Sequence, residues 1–400
     1  MFKHLLKLIW NKKKQNFLMI SEILFSFMVI FAVFTFAFYA WDNYKQPMGM
    51  DYEQVLAVNF SSPVKTSNVD SLGLFYETVK RDIASMSEVK EVTYTSGNIP
   101  FSANTFNNSM EVNGKRISDI NEFIVEDNYP AVLNLKMAEG RWYNKQDALP
   151  GVKNIVINRA LEEKAFDGTS AVGQYLRESG FGVNPKPGER FKIIGVVENV
   201  KFKGDYQVPA LAMYKRADTN FYKYAGNMMI KVIPTADAAF ESRLYKKLAN
   251  SLNNANIEIE HLAEKRDSIN KITLIPLLIL SIVAGFLIVN VAMGLFGVIW
   301  YNINKRKGEI GLRRALGATG NGVSTQIVVE SLLLASFSMV IGSFFAIQFP
   351  LLNVFDLPSK VYIIALLMSI LFIYALVFIC SFYPGRQAAA IYPAVALHEE

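Results

Sequence analysis

The chain has 400 residues, of which 52% are hydrophobic and 19% are charged, with a formal net charge of +6. This length allows two or three domains, and the composition is more apolar than that of an ordinary soluble protein. The only cysteine, Cys380, excludes a disulfide framework, so a domain outside a membrane must fold on its hydrophobic core alone.

The apolar residues are concentrated in four long runs. These extend from Phe17 to Ala40, from Ile272 to Trp300, from Ile327 to Phe349 and from Val361 to Phe382. Each run reaches the roughly 20 residues needed to cross a bilayer core about 30 Å thick, which predicts an integral membrane protein. The first run is too long for a cleavable signal peptide and lacks a small-residue cleavage site, so we interpret it as a retained anchor.

Lysine and arginine residues predict the orientation of these spans. Five lysines precede the first span, and Lys305, Arg306, Lys307, Arg313 and Arg314 lie between the second and the third. Short basic loops stay in the cytoplasm. Both termini are therefore expected in the cytoplasm. The positive charge is explained by this topology and needs no nucleic acid as partner.

The long segment between the first two spans is expected outside the membrane. Strand signals at 53–60, 89–96, 190–200, 228–233 and 257–261 alternate with helix signals at 70–86 and 238–252, and residues 153–166 run from strand into helix. This pattern predicts a mixed α+β domain. The turn-rich stretches 95–110 and 177–190 are interpreted as mobile loops or as the tips of a second subdomain.

No catalytic or metal-ligating set is visible in the sequence. Of the three histidines, His4, His261 and His398, only His261 can lie outside, and it is predicted on a solvated helix face. Nucleophilic catalysis and a zinc site both need more convergent residues than that. The stretch "GATGNG" (317–322) lacks the Lys-Ser or Lys-Thr of a phosphate-binding loop. We therefore expect no enzyme activity, cofactor or metal in this chain.

The second span is predicted to belong to a longer helix, residues 262–300, of about 60 Å, which would project outward as a stalk bent at Pro276. Small residues at four-residue spacing occur in this span and in the third, where they allow close helix approach. Packing within the chain and dimerisation both explain them. The residues are Ser281 and Gly285 in the second span, and Ser331, Ala335, Ser338, Gly342 and Ala346 in the third.

Two acids, Glu22 and Glu330, lie inside the first and third spans near their cytoplasmic ends. An acid within a membrane is a candidate functional residue. At this depth it can also be hydrated or paired with the basic loop, and both interpretations stay open.

The basic loop carries the ordered stretch "KRKGEIGLRRALGAT" (305–319). As a helix it would place Leu312, Ala315, Leu316 and Thr319 on one apolar face, with Glu309 and Arg313 spaced to pair at i, i+4. Topogenic charge explains the basic residues but not this order. The pattern indicates a short amphipathic helix that presents residues to a partner.

At this loop the sequence resembles a known family, the MacB/FtsX-like permeases of ATP-binding-cassette (ABC) systems. "KRKGEIGLRRALGAT" resembles their coupling segment, "QIVVESLLLASFSMVIG" (326–342) their third span, and "YPGRQAAAIYPAVALHEE" (383–400) their tail. "GRWYNKQD" (140–147) and "FKIIGVVENV" are similar to the MacB-type periplasmic core domain. The resemblance implies four transmembrane helices with a large mixed α+β extracytoplasmic domain inserted between the first and the second.

The resemblance also implies partners and a mechanism. Such permeases act as dimers of identical or related chains with two cytoplasmic ATPases, which hold the ATP and Mg and whose closure is relayed to the outer domains. Because no ATPase domain is fused to this sequence, the ATPase is expected to be a separate chain; a periplasmic adaptor or outer-membrane protein is left open. The residues implied to dock in the ATPase are Glu309, Arg313, Arg314, Leu316, Gly317 and Ala318.

The residues and the resemblance leave three functions to compare. The first is export or extraction of a periplasmic substrate, such as a peptide, lipoprotein or drug. The alternative is a signalling scaffold that activates a periplasmic cell-wall hydrolase without transport, and the third, a membrane-anchored enzyme, is disfavoured by the missing catalytic set. Phe101, Phe106 and Phe181 are either exposed residues for a lipid-surface substrate or part of a core.

The expected organisation follows the chain. The boundaries are 1–16 for an amphipathic cytoplasmic segment, 17–40 for the first span, 41–261 for the periplasmic core domain, 262–300 for the stalk and second span, 301–325 for the coupling loop, 326–348 for the third span, 349–360 for a short periplasmic loop, 361–383 for the fourth span and 384–400 for the cytoplasmic tail.

Overall fold

The computed structural model describes residues 13–61, 68–103, 105–148, 153–179, 189–218, 220–252 and 255–390. The chain divides into two compact units. The membrane unit comprises residues up to Asp42 and from Leu274 onward, and the inserted unit is Asn43–Thr273. The stretch 177–190, Phe181, His4, His398, most of 1–16 and the last ten residues of the tail lie wholly or largely outside the described residues.

The helices, in chain order, are α1 (Lys13–Tyr44), α2 (Val69–Ala84), α3 (Tyr129–Leu133), α4 (Arg159–Phe166), α5 (Ala238–Ser251), α6 (Leu262–Lys305), α7 (Lys307–Ala315), α8 (Gly320–Leu351) and α9 (Ser359–Ala389). Among the described residues, four of them, α1, α6, α8 and α9, are long and apolar enough to cross a membrane. The expected spans are thus present, and each helix extends beyond its apolar run. Helix α6 continues through Pro276 without interruption.

The membrane unit has its core between α1, α8 and α9. Phe27 and Phe31 of α1, Ala335 of α8, and Ala365 and Ile373 of α9 are almost completely buried there. Aromatic rings close the contacts, since Phe31 lies edge-on to Phe349 at 5.9 Å between centroids. These buried side chains form the contacts through which the apolar helices α1, α8 and α9 pack on one another.

The strands of the inserted unit are β1 (Val55–Phe60), β2 (Val89–Gly97), β3 (Asn107–Val112), β4 (Lys115–Val125), β5 (Met137–Gly140), β6 (Lys153–Asn158), β7 (Tyr175–Glu178), β8 (Arg190–Val197), β9 (Ala212–Arg216), β10 (Asn227–Val232) and β11 (Ile257–His261). Four of them form an antiparallel sheet in the order β11–β1–β10–β2. Helix α2 links β1 to β2 and α5 links β10 to β11, which is the split β-α-β, ferredoxin-like arrangement.

The helices of this sheet follow from the sequence. Apolar residues at helical spacing, Leu72, Tyr76, Val79 and Ile83 in α2, bury one face against the sheet together with Leu244 of α5. Asn68 begins α2 because its side-chain oxygen accepts hydrogen bonds from the backbone N–H groups of Asp70 and Ser71.

Strand β4 pairs with β2 and begins a second group of strands in the inserted unit. Among the described strands, β4, β3, β7, β8, β6 and β9 pair in succession, and β9 returns to pair in parallel with β4, so that they close into a ring. Strand β5 adds to β8. The interior contains Met110, Ile120, Ile155, Phe191 and Ile193. Of the turn-rich stretch 95–110, the first residues end β2 and the last begin β3, which belongs to this ring.

The prediction of a mixed α+β domain between the first and second membrane helices is confirmed. The predicted position of His261 was wrong, since His261 ends β11 and pairs with Leu56 of β1 instead of lying on a helix. The strand continues to this residue because β1 supplies its backbone partners. The imidazole Nε2 lies 3.0 Å from the Glu241 carboxylate.

Candidate docking site between the second and third membrane helices

The loop between α6 and α8 forms one short helix, α7, held on a small apolar base. Ile310 and Gly311 are the buried residues of α7. Ile310 packs with Ile303 of α6, Val323 of α8 and Ala388 of α9. The helix is thus fixed against the ends of three membrane helices.

Ion pairs hold α7 to α8 on its charged side. Arg306 lies 3.1 Å from Glu309 and 3.2 Å from Glu330. Arg313 forms the predicted i, i+4 pair with Glu309 and also donates to the Gln326 Oε1 at 3.1 Å. Gln326 in turn donates to Glu330 at 3.0 Å. Glu330 is therefore paired with the basic loop, which was one of the two interpretations left open.

Arg314 fixes the other side of the helix. Its guanidinium donates to the main-chain oxygen of Ala389, in the last turn of α9. A Cβ at Gly320 would lie 2.6 Å from the Arg314 Nη1, so the glycine leaves the space that this side chain occupies. A cation at a helix C-terminus is favourable because the last carbonyls carry partial negative charge. Arg314 thus ties the loop to the fourth span.

The helix ends earlier than the sequence suggested. It stops at Ala315, and Gly317 takes a left-handed conformation with φ of +98°, which glycine adopts without the strain of a Cβ. Thr319 caps α8 instead, since its hydroxyl accepts from the N–H of Gly322 at 3.2 Å. The expectation that Thr319 shares a helical face with Leu312 was wrong, because the chain turns at Gly317.

The loop also has a side that is apolar and exposed. Leu312 is 52% exposed and Leu316 is 80% exposed. We call the set Leu312, Ala315, Leu316, Gly317 and Ala318, all exposed, the apolar ridge. Of the predicted docking residues, Leu316, Gly317 and Ala318 belong to this ridge, whereas the arginine side chains are engaged within the chain. Glu309, Arg313 and Arg314 hold the loop through these contacts, although the side chains of Arg313 and Glu309 remain 40% and 45% exposed.

The two predicted helix-packing sets differ in their surroundings. In α8 the stripe of Ser331, Ala335, Ser338, Gly342 and Ala346 is buried. The Ser338 hydroxyl donates to the main-chain oxygen of Ile20 at 3.0 Å, and a Cβ at Gly342 would lie 2.4 Å from the Phe27 ring. This stripe therefore packs against α1 of the same chain. In α6, Ser281 is exposed, and a Cβ at Gly285 would meet no atom within 4 Å.

Glu22 of α1 faces a glycine of α6. A Cβ at Gly294 would lie 2.7 Å from the Glu22 carboxylate, so the missing side chain gives the carboxylate its space. Unlike Glu330, Glu22 does not contact the basic loop among the described residues.

The inserted unit holds no candidate metal site in the part of the chain that the structure describes. No group of three or more His, Cys, Asp or Glu residues is arranged there to hold a metal. Phe101 is 3% exposed and belongs to the core, which was one of the two interpretations left open. Phe106 is 72% exposed. Its backbone is held by the buried Asn98, whose amide both donates to and accepts from it.

Sequence reasoning missed several partners of the loop. Arg306 was counted only as a topogenic charge, and Gln326 and Ala389 were not considered. The signal for Gln326 was available, because it precedes Glu330 by one helical turn and both can therefore meet one cation. The contact of Arg314 with Ala389 spans 75 residues and has no local signal.

Comparison with known proteins shows which family the chain resembles. The family described as MacB-like periplasmic core domain matches residues 17–245, and that described as FtsX-like permease C-terminal matches residues 281–393. The ABC transporter permease YknZ of Bacillus subtilis is 26% identical over 225 residues, which cover 54% of each chain, so the similarity spans about half of its length. The ABC transporter permease YvrN of the same organism is 23% identical over 291 residues, or 69% of each chain.

Among solved structures, the periplasmic region of MacB from Actinobacillus actinomycetemcomitans aligns at 15% identity with a TM-score of 0.38, covering 57% of this chain and 98% of that one. The family assignment rests on the sequence matches, of which the first covers more than half of the 400 residues. The chain therefore belongs to the family of ABC transporter permeases that combine a MacB-like periplasmic core domain with an FtsX-like permease domain.

Proposed function

We propose that this chain is the transmembrane subunit of an ABC transporter that relays the ATP-driven motion of a separate cytoplasmic ATPase to its inserted unit on the other side of the membrane. The relay serves the export or extraction of a periplasmic substrate. ATP and Mg belong to the ATPase, and two permease chains act together. The orientation is that of a bacterial inner-membrane protein with the apolar ridge in the cytoplasm.

The observation that carries this proposal is the apolar ridge on a firmly anchored loop. Leu316 has 80% of its surface exposed at the tip of a segment that lies outside the apolar runs. Exposed apolar side chains at a rigid position favour docking of a partner, because their burial releases free energy without ordering a flexible loop. The anchors through Arg306, Arg313 and Arg314 favour transfer of a push on the ridge to α6, α8 and α9.

Helix α6 supports the second half of the relay. Its 44 residues correspond to about 66 Å at 1.5 Å per residue, more than twice the thickness of a bilayer core. Its first residues belong to the inserted unit and its last residue adjoins the loop. A continuous helix resists compression along its axis because each turn is hydrogen-bonded to the next. One element therefore reaches from the ridge to the inserted unit.

The test is affinity purification of the tagged chain from its native membrane in a mild detergent, followed by identification of the bound proteins by mass spectrometry. We expect an ABC ATPase in the wild-type eluate and its loss from Leu316→Glu. The matched control is Tyr224→Glu, an equally exposed position (78%) in the inserted unit, which should retain the ATPase.

An eluate without an ATPase, or an ATPase retained equally by Leu316→Glu, would contradict the proposal. A co-purified cell-wall hydrolase would instead favour the signalling scaffold over export or extraction.

A further inference from the structure

A buried lysine lies at one end of the inserted unit. Lys201 is only 2% exposed, and its ammonium donates to the main-chain oxygens of Asn43 at 2.6 Å and Asp205 at 2.5 Å. A third carbonyl, that of Gln46, lies at 3.5 Å. Burial lowers the pKa of Lys201 and the neighbouring Asp205 opposes this change. Asn43 is in the last turn of α1, where a cation compensates the partial negative charge of the free carbonyls.

The carboxylate of Asp205 continues the contact to the start of α6. Both of its oxygens accept from the Arg266 guanidinium, at 3.0 and 2.6 Å. Asn270, one turn further along α6, donates to the same carboxylate at 2.8 Å and accepts from the Asp205 backbone N–H at 2.9 Å. Asp205 is 6% exposed, so this bidentate pair is largely shielded from water.

The loop that carries Lys201 and Asp205 leaves room for the side chain of Asn270 in α6. Gly204 has φ of +98°, and a Cβ there would lie 2.6 Å from the Asn270 Oδ1. The Lys201 backbone N–H also donates to the Met48 oxygen at 3.0 Å, next to the segment that follows α1. The loop after β8 therefore contacts the segment entering the inserted unit and the one leaving it.

We propose that Lys201 and Asp205 are positioning residues that join the two ends of the inserted unit, so that the end of α1 and the start of α6 move with it as one body. The inserted unit, Asn43–Thr273, is connected to the rest of the chain at its first and last residues. Asn43 is the first of these residues, and Asn270 lies three residues before the last. This inference rests on the proposed relay, because a joint of this kind matters only if motion passes through it.

The chemistry explains why a charge network is used here. Three carbonyl oxygens converge on one ammonium, and replacing Lys201 by an apolar residue leaves them buried without a donor. Removing the charge of Asp205 likewise leaves Arg266 without its bidentate partner. Either change loosens the contact between the two ends while leaving the strands of the core in place.

The experiment uses the complete permease with its co-purified ATPase in nanodiscs. A spin label at Lys246→Cys, an exposed position on α5, in a Cys380→Ser background reports the distance between the two inserted units of a dimer. The label distance, by pulsed electron–electron double resonance, and the rate of ATP hydrolysis are measured for Lys201→Met and Asp205→Asn. The control is Lys203→Met, a half-buried lysine on the same loop. Hydrogen exchange of β10 amides shows whether the core is still folded.

We expect all variants to hydrolyse ATP, because the substitutions lie outside the ATPase. The ATP-dependent change in label distance should be lost in Lys201→Met and Asp205→Asn and kept in Lys203→Met, with unchanged exchange in β10. An unaltered distance change in both network variants would refute the joint alone. Raised exchange throughout β10 in both would also refute it, since the residues would then serve only general stability. No ATP-dependent change in the wild type would refute the relay and the joint together.

Discussion

Replacement of Leu316 by alanine should weaken binding of the ATPase without disturbing the permease. Leu316 follows the last residue of α7 and is 80% exposed. Substitutions at such positions usually change the free energy of unfolding by no more than about 0.5 kcal/mol. Any large effect of Leu316→Ala must therefore arise in the complex.

The expected magnitude follows from the exposed side chain. Complete burial of a leucine side chain stabilises by about 1.5–3 kcal/mol, and most of the Leu316 surface is available for burial. Taking about 2 kcal/mol for the difference from alanine, and about 1.4 kcal/mol for each tenfold change in affinity, Leu316→Ala should raise the Kd by about 30-fold.

The assay is biolayer interferometry of the nanodisc-embedded permease with the purified ATPase. Leu351→Ala is the control, since Leu351 is 71% exposed and lies at the opposite end of α8. The Kd of the control should match that of the wild type. A Kd for Leu316→Ala within twofold of the wild type would refute the assignment of the apolar ridge as the docking surface.

Two further predictions concern stability. Gly342→Ala places a Cβ 2.4 Å from the buried Phe27 ring and should lower the free energy of unfolding by about 1–3 kcal/mol. Gly285→Ala, whose Cβ would meet no atom within 4 Å, should not lower it. Thermal unfolding in detergent compares the two variants, and equal Tm values would contradict the packing of α8 on α1. A hydrogen-bonded ion pair with Arg141 lowers the pKa of Asp147 to about 2. The carboxylate therefore stabilises the fold above about pH 4, and this contribution is lost as the pH falls through about 2. Asp147→Asn should reduce the free energy of unfolding at pH 6 and approach the wild type near pH 2, and a difference independent of pH would contradict this.

The membrane helices, and the strands and helices of the ferredoxin-like part of the inserted unit, could be predicted because their signals are local, whereas the order of the strands in the sheet could not. Four uninterrupted apolar runs define the spans, and the apolar spacing of α2 is visible over a few turns. Of the ring strands, only β6 and β8 had a strand signal in the sequence. In β4 the order of buried and exposed positions does not alternate throughout, because Asp119 has φ of +60° and the register with β3 shifts there. A polar strand of this kind is indistinguishable from a loop in sequence.

At the candidate site the sequence predicted the helix and its ion pair, but not the contacts that Arg306, Arg313 and Arg314 make with the membrane helices. The resemblance implied a docking role for Arg313 and Arg314, and the spacing predicted only the pair of Arg313 with Glu309. Their partners, Gln326 and Ala389, come into contact through the packing of α7 on α8 and α9. The same reason hid Lys201, whose acceptor at Asn43 is 158 residues away. Burial of a charge by distant backbone leaves no local pattern.

The most direct test of the relay is the ATP-dependent distance between two inserted units, measured with labels at Lys246→Cys in a Cys380→Ser dimer bound to its ATPase. The relay predicts that ATP shifts this distance in the otherwise wild-type complex, and that Leu316→Glu abolishes the shift although the permease remains folded and dimeric. A distance that is the same with and without ATP, while the bound ATPase hydrolyses it, would contradict the relay.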